Sequence, residues 1–410
     1  MKKAMALFLS LLLALGILPA LAEEPVTLTY ATFSAAGAQE ETLAKMIAVF
    51  EEKNPDIKID VRLTGFNDYF TQLATQIAGG NPPDVFEMNM ENFLAYMLRG
   101  ATADLTGLIA DRSAYSEGTL AACSKDGKLY AVPMSFSTVV MFYNKALFDQ
   151  AGIAYPTDEW TWADEQAAAE KIVAAGGEDV WGIYQPITYN EFYKTAKANG
   201  GSLLNGDMTA FTLNTPENVE VLSQMIDRVR VSKVMPTTEA MAGRGDWDLF
   251  TEGKLAMIHT GIWAFSTFTE KCAFDWDIVV EPGIQQKATH FFANVNCVSV
   301  DSKQKEAAAR FIDAMGSDSD IVQLRLDAGW ELPTIADQAM LSQYLEVTPP
   351  ANRKAVFESM DYAATPPALK EQAAVAEIID SYLKPMEMND MSAQDALDAC
   401  QKQLEEEELL

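Results

Sequence analysis

Histidine and cysteine are nearly absent from this chain: 2 His and 4 Cys in 410 residues. Zinc-finger, haem and iron–sulfur centres take their ligands from those residue types, so the composition argues against all three, and no metal or cofactor is expected. Positive charge is scarce as well. Thirty Lys+Arg stand against 59 Asp+Glu, a formal net charge of -29. Nucleic acid is excluded as a partner, because no basic field exists to meet its phosphates, and an anionic membrane surface is disfavoured for the same reason. Short catalytic motifs are missing too: there is no P-loop, no GxGxxG after a strand, no GxSxG and no HExxH. Beyond residue 22 no segment reaches about 18 uninterrupted apolar residues, so a soluble mature protein is expected. The cysteines, at 123, 272, 297 and 400, show neither CxxC spacing nor a dense framework. Cys400 falls on the apolar stripe Ala393, Ala396, Leu397, Cys400, Leu404 and reads as a small buried hydrophobe. Whether Cys272 and Cys297 pair is left open.

What remains is a globular balance, 49% hydrophobic and 22% charged. The length allows roughly two to three domains. Lys2 and Lys3 precede an apolar stretch over residues 4–17, Pro19 breaks it, and Ala20-Leu21-Ala22 supplies a small-x-small cleavage pattern. Residues 1–22 are therefore expected to be an export signal. The mature chain would have 388 residues and, without the two lysines, a net charge of -31. No Cys stands at the cleavage site, so a lipid anchor is not expected, and the protein should be periplasmic or extracellular.

The pattern alternates strands and helices. Val26, Leu28 and Tyr30 alternate with threonines; Leu43, Met46, Ile47 and Phe50 recur at helical spacing; Asn54-Pro55 ends that helix. Ile57, Ile59, Val61 and Leu63 mark a second strand, and Asn67 is expected to cap a helix burying Phe70, Leu73 and Ile77. A third strand begins at Asp84. This βαβαβ order predicts a parallel sheet covered by helices, with ligands beyond the carboxyl ends of the strands, at loops 31–39, 65–69 and 87–92. Further on, 132–143 is a long β-rich run, Thr161 is expected to cap an acidic first turn, and strands are expected at 181–184, 255–259, 278–280 and 294–300. His259 reads as a sheet residue and His290 as the start of a strand.

Aromatic residues stand out: 7 Trp, 13 Tyr and 20 Phe. A flat ring can stack on the C–H face of a sugar while neighbouring amides and acids bond its hydroxyls. Trp263 and Trp330 follow glycines at expected loop positions, which favours exposure to a cleft. Trp162, Trp181 and Trp276 are expected to be structural.

Several segments occur together in one order. They are Phe50-Glu51-Glu52-Lys53-Asn54-Pro55-Asp56-Ile57, Asn81-Pro82-Pro83-Asp84-Val85, Gly127-Lys128-Leu129-Tyr130-Ala131-Val132-Pro133, Phe142-Tyr143-Asn144-Lys145-Ala146-Leu147-Phe148, and Phe250-Thr251-Glu252-Gly253-Lys254-Leu255-Ala256-Met257 with Gly261 and Trp263. In that order and spacing the chain resembles the extracellular solute-binding proteins (family 1) of carbohydrate ABC importers, the group that includes maltose-binding protein. The resemblance implies a two-lobed α/β fold, each lobe a mainly parallel sheet flanked by helices, joined by crossing hinge strands. The N-terminal lobe would hold 23–136 plus 289–343 and the C-terminal lobe 137–288 plus 344–410. It implies no catalysis: a sugar or oligosaccharide is held between the lobes, and hinge closure delivers it from a monomeric receptor to the transmembrane subunits of a permease. Carried over by position, Trp263 would stack on sugar. Phe33 and Ser34 would come from the first loop, and Glu87, Asn89 and Glu91 from the loop after the third strand. Phe136 and Ser137 would come from the crossing, and Tyr189 and Asn190 from the second lobe. Trp330 and Glu331 join this set from local pattern. The competing reading is a secreted carbohydrate-active enzyme using a carboxylate pair. No Arg or Lys cluster marks the cleft loops, which weighs against a phosphorylated cargo.

Overall fold

The computed structural model describes residues 25–410, apart from 38, 110, 116, 178, 335–341, 368 and 370. The expected export signal, residues 1–22, lies outside the described residues. Strand β1 (Val26–Thr32) pairs in parallel with β2 (Ile57–Leu63) along its whole length and with β3 (Val85–Asn89) at Tyr30↔Val85 and Ala31↔Phe86. A short hairpin, β4 (Ser124–Lys125) and β5 (Lys128–Leu129), leads into the longest strand, β6 (Val132–Asn144). Its 13 residues are all buried, as a mostly apolar strand covered on both faces must be. Strands β7 (Trp181–Tyr184), β8 (Leu255–Gly261), β9 (Trp276–Val279) and β10 (Thr289–Val298) follow, with β11 (Leu332–Pro333) and β12 (Ala363–Ala364) as two-residue additions.

The main sheet runs β2-β1-β3-β10-β6-β8-β7. Its ends are parallel, β2-β1-β3 and β7-β8, but its centre is antiparallel. This mixed sheet differs from two simple parallel ones because β6 and β10 pass between the two halves. Residues 132–138 of β6 pair with β10, and residues 139–144 pair with β8 and β9. The protein is thus α/β and two-lobed, and its lobes share strands.

Three apolar cores follow this division. The first gathers Leu28, Tyr30, Phe50, Phe86 and Val298 with Phe311 and Ile312 of helix Lys305–Ser317. The second gathers Phe148, Ile183, Phe192 and Leu222 with Ile379, Leu397 and Cys400 of the C-terminal helices. The third lies under the crossing, with Phe136, Val140, Phe142, Phe265 and Ile278. All four cysteines are free. Among the described residues no helix is long and apolar enough to cross a membrane, and no group of His, Cys, Asp and Glu could hold a metal ion.

Local signals account for most helix ends. Thr161 caps helix Trp162–Gly176 in a reciprocal box with Asp164, as its sequence suggests. Asn67 does not cap. Helix Phe66–Ala78 starts at Phe66, because the Gly65 carbonyl already accepts from the backbone N–H groups of Asp68 and Tyr69 at 3.1 Å, and the Phe66 ring packs on Phe33 and Phe70.

The second core contains a closed ring of buried ionic groups. Arg228 bonds Glu165 at 2.6 Å, and Glu165 bonds His259 Nε2 at 2.6 Å. His259 Nδ1 bonds Glu281 at 2.6 Å, Glu281 meets Lys194, and Lys194 meets Glu191 at 2.8 Å. Gln185 closes the ring, at 2.8 Å from both Glu191 and Arg228. Buried charge is tolerated when paired and hydrogen-bonded, and here three cations face three carboxylates. Both His259 nitrogens meet carboxylates, so both carry hydrogen and the ring is an imidazolium. Burial alone would push its pKa down; Glu165 and Glu281 override that and raise it to about 9.

A histidine with a raised folded-state pKa adds stability that is fully present below its ordinary value of 6.5 and is lost as pH rises to about 9. The melting temperature should therefore fall steadily over that window. His259→Gln should remove most of that slope and lower stability by roughly 3 kcal/mol at pH 6. Melting curves at several pH values check both, and an unchanged slope in the variant would place its origin elsewhere.

Candidate functional site

The alternation of β10 decides which side chains share a face, because successive residues of a strand point to opposite sides. Phe291 and Ala293 lie on one face, in the third core, where Phe291 stacks on Phe136 at 5.8 Å and 20°. His290, Phe292, Asn294 and Asn296 lie on the other. The ladder sets Glu87 beside Asn296, Asn89 beside Asn294, and Ser137 beside Phe292. Of the expected site residues this second face collects Glu87, Asn89 and Ser137, and its Phe292 meets Trp263.

Glu87 organises the first loop. Its carboxylate is buried and accepts from the Thr32 hydroxyl and from the backbone N–H groups of Phe33 and Ser34, both at 3.2 Å. Burial, then the nearby Glu331, raises its pKa. The Phe33 ring is absorbed by Phe66, Tyr69 and Phe70, so this residue offers its backbone and not its ring. Asn89 caps helix Met90–Leu98, accepting from the Asn92 amide at 2.8 Å and from its backbone N–H at 3.4 Å. Glu91, one residue into that helix, is different. Its Oε2 is sealed from solvent without a partner among the described residues, and burial raises its pKa to about 7. The same carboxyl acts electrostatically on Tyr189 and Tyr193, which places it opposite helix Tyr189–Ala198. Tyr189 accepts at its hydroxyl from Gln372 and packs on Tyr193 at 5.3 Å; Asn190 lies exposed beside it.

Trp263 sits in a single 3₁₀ turn, Ile262–Ala264, after β8. It is half-buried and meets Phe292 at 5.6 Å and 61°. Its six-membered ring lies over Gly261, where a Cβ would come within 2.0 Å of ring carbon. Gly261 has an ordinary φ of -82°, so glycine is needed there for the seat of the indole and not for its backbone angle.

Three expectations are corrected. Phe136 faces the third core, because it occupies the Phe291 side of the ladder; Ser137, next along, faces the site. Trp330 is 4% exposed, in the first core, with the Arg325 guanidinium 4.1 Å from its ring centre. Its preceding glycine serves a turn (φ +59°) and does not bring it to a cleft. Glu331 is buried, accepting from Ser135 and, at 3.0 Å, from Asn294, with Arg325 at 4.0 Å. Of the three tryptophans expected to be structural, Trp162 and Trp276 are buried, and Trp181 is half-buried against the third core.

Tyr193 and Phe292 were not among the expected residues. The i,i+4 spacing from Tyr189 and the alternation of β10 could have pointed to them. Sealed oxygens without a partner among the described residues gather here: Ser34 Oγ, Glu87 Oε1, Glu91 Oε2, Ser137 Oγ and Gln372 Oε1. Folded proteins leave few buried polar groups unpaired, so such a set beside half-exposed rings suits a polyhydroxylated ligand. The two lobes already touch at its rim, through Gln39 to Ser266 at 3.3 Å and Arg99 to Glu371 at 3.9 Å.

Comparison with known proteins agrees with this architecture. An ABC substrate-binding protein from Listeria monocytogenes, solved in complex with cycloalternan, is 45% identical, with a TM-score of 0.90 over 94% of this chain and 99% of that one. A maltose-bound protein from T. maritima shares the fold at 20% identity, with a TM-score of 0.80 over 93% of this chain and 99% of that one. An arabinooligosaccharide-binding protein from Bacillus subtilis is 29% identical over 252 residues, 59% of this chain and 57% of its own. Residues 31–320 match the profile of the bacterial extracellular solute-binding proteins, and the chain belongs to that family.

Proposed function

We propose that the chain is the exported receptor of an ABC importer for an oligosaccharide, with cycloalternan as the first cargo to test. The observation that carries this reading is the second face of β10. There Trp263 and Phe292 stand beside buried oxygens that have no partner among the described residues. Rings supply the apolar surface for sugar C–H groups, and the oxygens accept from or donate to its hydroxyls. The 45% identical relative binds cycloalternan, which supports the cargo class.

The receptor acts as a monomer in the periplasm or outside the cell, and presents its closed form to the permease's transmembrane subunits. Cargo leaves unaltered. Two of the expected acids are engaged in holding the fold, which supports this: Glu87 pins the first loop, and Glu331 is held by Ser135 and Asn294.

Cycloalternan should raise the melting temperature of the purified chain, and long incubation should yield no new reducing ends. Appearance of reducing ends would favour the enzyme reading. Trp263→Ala should weaken binding by roughly 10- to 100-fold, the worth of one stacked, buried ring; titration calorimetry measures it, and parent-like affinity removes Trp263 from the site. Gly261→Ala should tilt the indole, shift tryptophan fluorescence and weaken binding while leaving the fold intact. Trp330→Ala should instead cost about 3–5 kcal/mol of stability, as expected of a core ring.

A further inference from the structure

We propose that Phe292 is a second cargo-facing ring and that with Trp263 it forms a bent aromatic corner selecting a turned or ring-closed oligosaccharide over a straight one. This rests on the receptor reading above and adds a specificity-determining residue to it. The two rings are half-exposed, and neither belongs to any of the three cores. Their centres are 5.6 Å apart and their planes meet at 61°. Successive sugars of a straight chain cannot lie flat on both rings. A chain that turns between two sugars can, and a closed ring turns at every linkage.

Two further observations assign Phe292 to a ligand and not to packing. Ser137 lies directly across from it in the ladder, 1% exposed, and its Oγ has no partner among the described residues. A donor and acceptor held dry beside a half-exposed ring is what a sugar hydroxyl needs. Phe292 is also held in place from behind. The His290 ring stacks on it at 5.3 Å and 22°. His290 is fixed in turn by the Tyr193 hydroxyl at 2.9 Å and by Glu191 at 3.2 Å, and Glu191 belongs to the buried ionic ring. The corner is therefore rigid before cargo arrives, and a rigid corner discriminates by shape because it cannot open to fit a straight chain.

The test compares the full chain with Trp263→Ala, Phe292→Ala, Phe292→Leu and Phe292→Tyr by titration calorimetry, after melting curves have confirmed folding. The probes are cycloalternan, an open maltooligosaccharide and a straight β-linked cello-oligosaccharide. The parent should bind cycloalternan more tightly than the cello-oligosaccharide. Phe292→Leu keeps apolar volume but loses the flat face, and it should lower cycloalternan affinity by about tenfold and narrow that preference. Phe292→Tyr should restore both. If Phe292→Ala fails to fold, the Leu and Tyr pair alone decides. If Trp263→Ala weakens binding while Phe292→Leu matches the parent, the corner is overturned and the receptor reading stands. Equal losses for cyclic and straight probes overturn the selectivity. A parent that binds no saccharide overturns both readings.

Discussion

The hydrogen-bonded ladder between β6 and β10 is the interaction on which the rest of the molecule depends. These strands belong to neither lobe alone. β6 gives residues 132–138 to β10 and residues 139–144 to β8 and β9, so any motion of one lobe against the other must bend this ladder or the strands beside it. The same ladder has two faces with opposite needs. Phe136, Phe291 and Ala293 fill the third core, while Ser137, Phe292 and Asn294 are turned to the site. A one-residue slip would exchange the two sets, putting serine and asparagine into an apolar core. Apolar packing on one face therefore fixes the position of polar groups on the other.

The ionic ring extends that order into the second lobe. His259 on β8, Thr289 and His290 on β10, and Glu191 and Lys194 on helix Tyr189–Ala198 come from different elements, and each is satisfied when all are in register. A buried charge left unpaired costs several kcal/mol, so the network disfavours partial misalignment more than it adds net stability. Its edge is His290, whose ring backs Phe292. The rigidity of the core thus reaches the site through one histidine.

Much of this was legible in the sequence, and the misses have physical reasons. Period-two and period-3.6 patterns located β1 to β3, helix Glu40–Lys53 and the long strand β6. The resemblance of separate segments supplied the two-lobed plan, and Trp263 came with it. Trp330 misled because a glycine before a ring looks alike whether it opens a cleft or ends a helix; what decides is Arg325 stacking on that ring, a partner on a separate turn of chain. Glu87 and Glu331 were recognisable as polar residues near the site, but not as internal anchors, since their partners are Thr32, Ser135 and Asn294. His259 was placed in its strand, while Glu165 and Glu281, 94 and 22 residues away in sequence, give it its charge. Local pattern reports faces; it does not report which faces meet.

Glu91 illustrates what such a site requires of its cargo. Burial moves its pKa from 4.5 to about 7, so its sealed setting disfavours the carboxylate and holds a proton more tightly than open solvent would. Near neutral pH, sealing this group without a donor costs free energy, and the cost grows as pH rises from 4.5 towards 7. Tyr193 meets His290, Tyr189 accepts from Gln372, and Glu91 Oε2 has no partner among the described residues. A sugar hydroxyl placed at Oε2 would supply that donor and favour the charged form. Its contact would then strengthen only when the lobes are together, and closure needs that kind of difference: a ligand shifts an equilibrium by its differential affinity for the two states and by nothing else. On the proposed reading, the unpaired oxygens around the rings are groups whose desolvation cargo alone makes good, so an empty closed cleft is disfavoured and a filled one is not.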